Sequence, residues 1–314
     1  MNVSWADLAF ASKKPVNDLD AIFVLAPREL STARFKQLIK TYLPKANLLL
    51  GVAQEDYVLG FEDQPQFRML GPSSVQSIID KVNASNPPHT VSVLQYAQRD
   101  AKFLLEKLSF KEILLFNGSW KYVFHSRPEY YTIANAHTPY TMVSPFTGVD
   151  EARAYANSIH IAPIKTGGLY NDSDLMDIAQ RAAKQSFDYN MQTGVALSRR
   201  KGDQYQLIAT SYNGVVPYQT FAMHHGAARE KNFSPMHDLN HYDTNHAEVE
   251  MVIKAQKQQI DLHGTTLFIN LLPCPTCARM FARTDIEEFV YLEDHSDGYA
   301  TRLLSEAGKT VRRL

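Results

Sequence analysis

The residues best suited to chemistry are two cysteines, a histidine and a glutamate in the last third of the chain. Cys274 and Cys277 are the only cysteines among 314 residues, and they stand three apart in L-P-C-P-T-C. This spacing brings both sulfurs to one metal ion or one redox centre, and two cysteines make no disulfide framework. His246 and Glu248 precede them in N-H-A-E-V-E. One imidazole and two thiolates are a ligand set that holds catalytic zinc and leaves a fourth position for water.

Other interpretations of the same residues are weaker. A redox pair is typical of a thioredoxin-like βαβ context, and a closed structural zinc site needs a second pair of thiols. The chain has no further cysteine. Two buried thiols without a metal remain the plainest alternative, because free cysteines often pack as small apolar residues.

Glu248 lies two residues past His246 and is not a ligand in this interpretation. Zinc at such a site lowers the pKa of a water molecule to about 7. Glu248 is then the base that accepts the proton of that water and passes it on to the substrate. The pattern H-x-E…P-C-x-x-C is the signature of zinc-dependent deaminases.

The elements around these residues place them favourably. The segment AEVEMVIKAQKQQ predicts a helix that begins at His246, and PTCARMFAR predicts a helix that follows the strand TTLFINLLP. Residues three apart on a helix share a face, and a helix N-terminus stabilises a thiolate. The sequence therefore predicts that His246, Cys274 and Cys277 bind Zn²⁺.

Strand and helix patterns alternate along the rest of the chain, which indicates an α/β protein in two parts. Residues 1–165 are predicted to form a separate α/β domain with parallel strands, and residues 170–314 a second domain after a linker at 166–174. No phosphate-binding glycine motif occurs in the first half. Its aromatic segment 120–146 is interpreted as a packed loop, with a base-stacking surface or a subunit contact as the alternatives.

From Asp174 onwards the chain resembles the cytidine/deoxycytidylate deaminase superfamily, and most of all dCMP deaminases. The similar stretches are LMDIAQRAAKQSF, LIATSYNGVVP, TTLFINLLPCPTCARMF and DHSDGYATRLLSEAGKTV. The resemblance implies a three-layer α/β/α fold around a mixed sheet of five strands. It also implies substrate-binding roles for Asn213, Ala247 and Pro273, with Glu248 as the catalytic residue. For Asn213, the Asn-Gly turn signal offers a structural alternative.

Two positions depart from this family. Glu250 stands where the family usually has asparagine, and the extra cysteine that often binds a second zinc ion is missing. The segment before His246 instead contains four histidines, which leave a second metal site open: His224, His225, His237 and His241. A polar loop that covers the substrate is the alternative, and Arg229 and Lys231 are candidates to meet a phosphate.

Composition and charge limit the classes of binding partner that the sequence favours. Lys and Arg number 32 against 33 Asp and Glu, so no basic excess favours nucleic acid. No secretory signal and no apolar stretch long enough to span a membrane is recognised, and a cytoplasmic location is expected. The leading hypothesis is deamination of a small cytosine nucleotide by a homo-oligomer. A deaminase of RNA or single-stranded DNA and a non-catalytic zinc-binding regulator are the alternatives.

Overall fold

A computed structural model describes residues 2–4, 16–235, 238 and 240–314, with side chains from residue 20 onwards. Its contacts divide the chain into two compact units. The first unit comprises residues 1–160 and 220–243, and the second unit comprises residues 161–219 and 244–314. The predicted boundary between residues 165 and 170 stays a prediction. Within the described ranges, no helix combines the length and apolar character needed to cross a lipid bilayer.

The first unit is built on a parallel sheet. Over the described residues the sheet has six strands in the order β1-β4-β3-β2-β5-β6, and every neighbouring pair is parallel. The strands are β1 (Asn2–Ser4), β2 (Val16–Leu25), β3 (Asn47–Ala53), β4 (Val91–Tyr96), β5 (Leu108–Phe116) and β6 (Tyr140–Val143). Parallel pairing and the alternation of strand and helix are as predicted from the sequence.

Helices connect these strands, and their apolar stripes cover the sheet. They are α1 (Thr32–Tyr42), α2 (Pro72–Ala84), α3 (Ala101–Lys107), α4 (Pro128–Asn135) and α5 (Val149–Ser158). Ser31 caps α1, since its side chain accepts a hydrogen bond from the Arg34 N–H. Phe35 and Leu38 of α1 and Val75 of α2 pack into one buried cluster with the inner strands. Each such aliphatic or aromatic side chain contributes about 1.5–3 kcal/mol when fully buried.

Residues 220–243 interrupt the second unit in sequence but pack in the first. They carry two short helices, α7 (Phe221–His225) and α8 (Ala228–Lys231). The Glu230 carboxylate accepts hydrogen bonds from the backbone N–H groups of Phe124 (2.6 Å) and His125 (3.1 Å). The Thr220 hydroxyl donates to the Ala152 carbonyl at 2.6 Å. These contacts join residues that lie 68 to 106 positions apart.

The second unit is built on a mixed sheet. Its described part has six strands in the order β14-β13-β12-β8-β9-β7, in which β12, β13 and β14 are parallel and the other pairs antiparallel. The strands are β7 (Leu169–Tyr170), β8 (Gly194–Lys201), β9 (Gln204–Tyr212), β12 (Thr265–Leu271), β13 (Ile286–Glu293) and β14 (Thr310–Arg313). The expectation of five strands is therefore wrong. The additional strand β7 has two residues and pairs with the edge of β9, inside the segment interpreted as a linker.

Helices cover both faces of this sheet, because successive strand residues point to opposite faces. Helix α6 (Asp172–Ala183) packs on Ala196, Phe268 and Val290. On the other face, Leu197, Leu267 and Phe289 contact α9 (Ala247–Gln258), α10 (Pro275–Phe281) and α11 (Tyr299–Glu306). A short antiparallel pair, β10 (Gly214–Val215) and β11 (Thr244–Asn245), holds the chain immediately before His246.

Candidate metal centre and active site

Two helix N-termini bring the candidate ligands together. His246 is the N-cap residue of α9, and its carbonyl accepts the Glu250 N–H at 3.0 Å. Cys274 is the N-cap residue of α10, Pro275 follows at the first helical position, and Cys277 lies in the first turn. Proline suits that position because its ring fixes φ and no N–H is needed there. Strand β12 ends three residues before Cys274 and so fixes where α10 begins.

The three ligand atoms converge as the sequence predicts. The Nδ1 atom of His246 lies 3.5 Å from the Sγ of Cys274 and 3.5 Å from the Sγ of Cys277. Zinc bonds of about 2.3 Å to sulfur and 2.0–2.1 Å to nitrogen, at tetrahedral angles, separate such atoms by about 3.6 Å. One imidazole and two sulfurs at this spacing fit Zn²⁺. Among the residues that the structure describes, this is the one group of three such side chains within ligand reach of each other.

Burial and hydrogen bonding tune this cluster electrostatically. Both cysteines are buried. A hydrogen bond from the Cys277 thiol, followed by one with His246, lowers the pKa of Cys274, so Cys274 is the better thiolate of the pair. The hydrogen bond to Cys274 raises the pKa of His246. The hydrogen bond with Cys274, followed by burial, raises the pKa of Cys277, so the pair favours one thiolate, which is suited to binding a cation.

Glu248 lies in the first turn of α9 with only 3% of its surface exposed. Burial, the largest cause, raises the pKa of its carboxyl group to about 7, against the opposing effect of the nearby His246. The structure therefore places Glu248 beside the three ligand atoms, as the spacing H-x-E predicts.

Asn213 belongs to a network that the sequence did not reveal, and the charge of one member, Asp188, acts on His246. Its side-chain amide donates to the Asp188 carboxylate at 2.9 Å and to the Met191 carbonyl at 2.8 Å. Its amide oxygen accepts the Thr193 N–H at 2.9 Å. Both amide protons are thus used within the protein. A substrate-binding role stays a prediction, and only the unused lone pair of the amide oxygen is left for it. Asp188 carried no signal in the sequence beyond its place in a polar turn.

The two other predicted substrate-binding residues are buried next to the ligands. Ala247 has no exposed surface, and its carbonyl accepts the Ser211 hydroxyl at 2.7 Å. Pro273 is buried directly before Cys274. Their roles toward substrate stay predictions.

Glu250 points to a different place. Its carboxylate accepts the Asn245 side-chain amide at 3.0 Å and lines a cavity of about 330 Å³ together with Tyr212 and Lys254. No zinc-ligating candidate and no atom of Glu248 lines that cavity. The departure from asparagine at this position therefore lies away from the cluster of His246, Cys274 and Cys277.

The histidine-rich segment 224–241 forms hydrogen-bonded pairs. The His224 Nδ1 contacts the Ser144 hydroxyl at 2.8 Å, and the His241 Nδ1 contacts the Asp238 carboxylate at 2.8 Å. His237 lies outside the described residues. Around the described residues His224, His225 and His241, no second group of three ligand-type side chains converges.

Of the two basic residues considered for a phosphate contact, Arg229 has partners within this segment, and the role of Lys231 stays a prediction. Arg229 is buried, donates to the Asp238 carbonyl at 2.8 Å and stacks 4.3 Å over the Tyr242 ring. A buried arginine with these partners stabilises the segment itself.

Comparison with known proteins agrees with the geometry. Residues 169–293 match the family described as the cytidine and deoxycytidylate deaminase zinc-binding region. The probable deoxycytidylate deaminase of Drosophila melanogaster is 28% identical over 146 residues, which are 46% of this chain and 68% of the relative. The deoxycytidylate deaminase of Pongo abelii is 27% identical over 149 residues, 44% of this chain and 76% of the relative. The structure of the dCMP deaminase of cyanophage S-TIM5 in complex with dCMP and dUMP has 19% identity and a TM-score of 0.35, over 45% of this chain and 95% of that chain.

Proposed function

We propose that this chain, whose residues 169–293 match the cytidine and deoxycytidylate deaminase zinc-binding region, hydrolyses the amino group of a cytosine nucleotide, with dCMP as the first substrate to test. The chain is a zinc-dependent hydrolase of the deaminase type. The proposal of a deamination reaction rests on one observation, the convergence of His246, Cys274 and Cys277 beside a buried carboxylate. The choice of dCMP is supported by relatives that are named deoxycytidylate deaminases.

In the proposed mechanism, the His246 imidazole and the Cys274 and Cys277 thiolates would hold Zn²⁺, which would supply a Lewis acid that makes water a nucleophile at neutral pH. The Glu248 carboxylate accepts one proton from the attacking water. It delivers that proton to the ring nitrogen next to the amino-bearing carbon. The second proton of the water reaches the departing amine through the same carboxyl group. The carbon–nitrogen bond breaks, and a uracil nucleotide and ammonia result.

Burial of Glu248 favours proton transfer between its carboxyl group and the substrate over transfer to bulk water. With 3% of its surface exposed, the carboxyl group exchanges protons with the substrate more readily than with bulk solvent. Its position in the first turn of α9, two residues past His246, fixes it relative to the ligand. We propose Glu248 as the catalytic residue on these grounds.

Ammonia release from dCMP, CMP, cytidine, deoxycytidine and a short cytosine oligonucleotide tests the substrate. We expect turnover of the mononucleotides, dCMP foremost. Turnover of the oligonucleotide alone would replace the proposal with a nucleic-acid deaminase. No turnover with zinc bound would indicate a non-catalytic zinc-binding regulator.

Two sets of variants separate metal binding from catalysis. Glu248→Gln keeps the shape of the side chain but not its basicity, so we expect it to retain zinc and lose turnover by about 10²-fold or more. Cys274→Ser and Cys277→Ser should each release zinc, measured by elemental analysis. A Glu248→Gln protein with full activity would remove Glu248 from the mechanism. The proposed homo-oligomer is tested by light scattering of the purified chain.

A further inference from the structure

The strand order of the first unit creates a crevice at one edge of its sheet. From β2 the chain proceeds to β3 and β4 on one side, whereas β5 and β6 lie on the other side of β2. The connections after β2 and β5 therefore leave in opposite directions at the carboxyl ends of these two strands. In open parallel sheets, small molecules bind in the crevice at such a reversal of strand order.

A narrow cavity lies at this position. It is lined by residues that end or follow β2, β4 and β5, among them Ala26, Tyr96 and Ser119. Its free space is about 300 Å³ including the open mouth, and its interior admits about one water molecule. Ala26 has a φ of +44°, a conformation that a residue with a side chain rarely adopts. The strand β2 thus ends in a strained turn at the cavity wall.

Two hydroxyl groups on the cavity wall have no acceptor. Tyr96 and Ser119 are both 0% exposed, and neither hydroxyl finds a hydrogen-bond acceptor among the described residues. Burial, the largest cause, raises the pKa of Tyr96 against the effect of a hydrogen bond from the Ala26 N–H, and the nearby Glu55 and Glu129 carboxylates raise it further, so its hydroxyl stays a donor. The neighbouring Gln98, in contrast, has both ends of its amide satisfied, by the Tyr57 carbonyl and the Leu59 N–H. Buried polar groups of a folded protein are nearly always paired, so these two hydroxyls indicate a missing acceptor.

Positive charge lies on the same wall. The Arg127 guanidinium forms an ion pair with the Glu129 carboxylate at 3.2 Å. Lys121 lies over the rings of Phe61 and Tyr122, and no ion pair of its ammonium group occurs within the described part of the chain. Apolar side chains, Leu59 among them, complete the lining. An occupant that supplies acceptor oxygens and negative charge, with an apolar part, fits these groups.

We propose that the crevice at the carboxyl ends of β2, β4 and β5 is a binding site for a small organic anion, either phosphorylated or carboxylated. One anionic oxygen takes the interior position and accepts hydrogen bonds from Tyr96 and Ser119. The remaining charge faces Lys121 and Arg127 at the mouth. The site belongs to the first unit and requires no zinc, so it stands independently of the deaminase proposal.

Calorimetric titration of the full-length protein tests the site with three probes: inorganic phosphate, adenosine 5′-monophosphate and succinate. The crevice variants, and not the choice of probe, separate this site from the nucleotide site proposed for the second unit, which also binds a phosphate group. We expect one probe to bind with one-to-one stoichiometry at millimolar concentration or below. Phosphate and succinate distinguish the two anion types, and the monophosphate tests whether an organic body adds affinity.

Variants locate the bound probe. Ser119→Ala and Tyr96→Phe each remove one donor without adding bulk, and we expect each to weaken binding about tenfold. Lys121→Gln should weaken binding and reduce its dependence on salt. Tyr42→Phe on α1 removes a hydroxyl of the same type outside the cavity and should leave affinity unchanged. Circular dichroism verifies that each variant is folded.

Two outcomes would overturn the proposal. In the first, a probe binds equally well to wild type, Ser119→Ala and Tyr96→Phe. In the second, none of the three probes binds to the folded wild-type protein at millimolar concentration. Either result would assign both hydroxyls to a buried water molecule.

Discussion

The side chain of Asn213 should stabilise the protein whether or not it touches substrate. Its three hydrogen bonds join the end of β9 to the turn at residues 188–193. Asn213→Ala deletes all three and leaves the buried Asp188 carboxylate with one donor fewer. The Thr193 N–H loses its acceptor at the same time.

The expected cost follows from the partners. A hydrogen bond between neutral groups contributes about 1 kcal/mol, and one to a charged group about 1.5–3 kcal/mol. Two neutral bonds and one to a carboxylate give about 4 kcal/mol together. Asn213 and Asp188 should also be energetically coupled. The double variant should therefore lose about 2 kcal/mol less free energy of unfolding than the sum of the losses in Asn213→Ala and Asp188→Ala.

Urea unfolding followed by circular dichroism, with zinc held constant, measures these free energies. Asn232→Ala is a suitable control, because its amide makes one exposed hydrogen bond to the Ala228 carbonyl; we expect a change within about 0.5 kcal/mol. If Asn213→Ala lost less than about 1 kcal/mol and only raised KM, the network would not be structural and the reasoning from these contacts would be refuted.

Three further predictions concern packing, acid stability and catalysis. Gly194→Ala should lower the free energy of unfolding by about 3 kcal/mol or more, because an added Cβ would clash with the Ala179 carbonyl oxygen in α6. Gly148→Ala is the control, since an added Cβ there has no neighbour within 4 Å, and it should be neutral in the same unfolding assay. Burial raises the pKa of Glu151, but hydrogen bonds from Ser31 and Thr147 outweigh it and lower the pKa below 4.5. The stabilisation is therefore present above pH 4.5 and lost as pH falls, so the advantage of wild type over Glu151→Gln should shrink on acidification; an advantage that grows would reverse the sign. Glu248→Gln should lose turnover with zinc content unchanged, and loss of zinc would instead make Glu248 part of the metal site.

Local patterns in the sequence predicted most elements of both units. Ser31 marks the start of α1 because its hydroxyl accepts an N–H that the helix itself leaves unpaired. The turn after β8 contains Gly202 at a φ of +62°, which favours glycine. The convergence of His246, Cys274 and Cys277 followed from their spacing on two helix starts. Such features depend on residues that are close in the sequence, so a local sequence pattern is enough to predict them.

Features that depend on distant partners were not predictable. Strand β7 has two residues, and only its pairing with Gln206 and Tyr205 makes it a strand. Residues 220–243 join the first unit through contacts such as Glu230 with Phe124, 106 positions away. Likewise, the hydrogen bond from the Asn213 amide to the Asp188 carboxylate joins two segments that are 25 residues apart in the sequence. Nothing local distinguishes these residues from other polar ones.

X-ray absorption at the zinc edge of the metal-loaded protein tests the metal centre most directly. We expect two sulfur scatterers at about 2.3 Å and one imidazole nitrogen at about 2.0–2.1 Å, with the remaining position filled by oxygen. Cys277→Ser should lose a sulfur from this shell. A spectrum without sulfur, or with four sulfurs, would contradict the assignment of His246, Cys274 and Cys277 to a catalytic zinc ion.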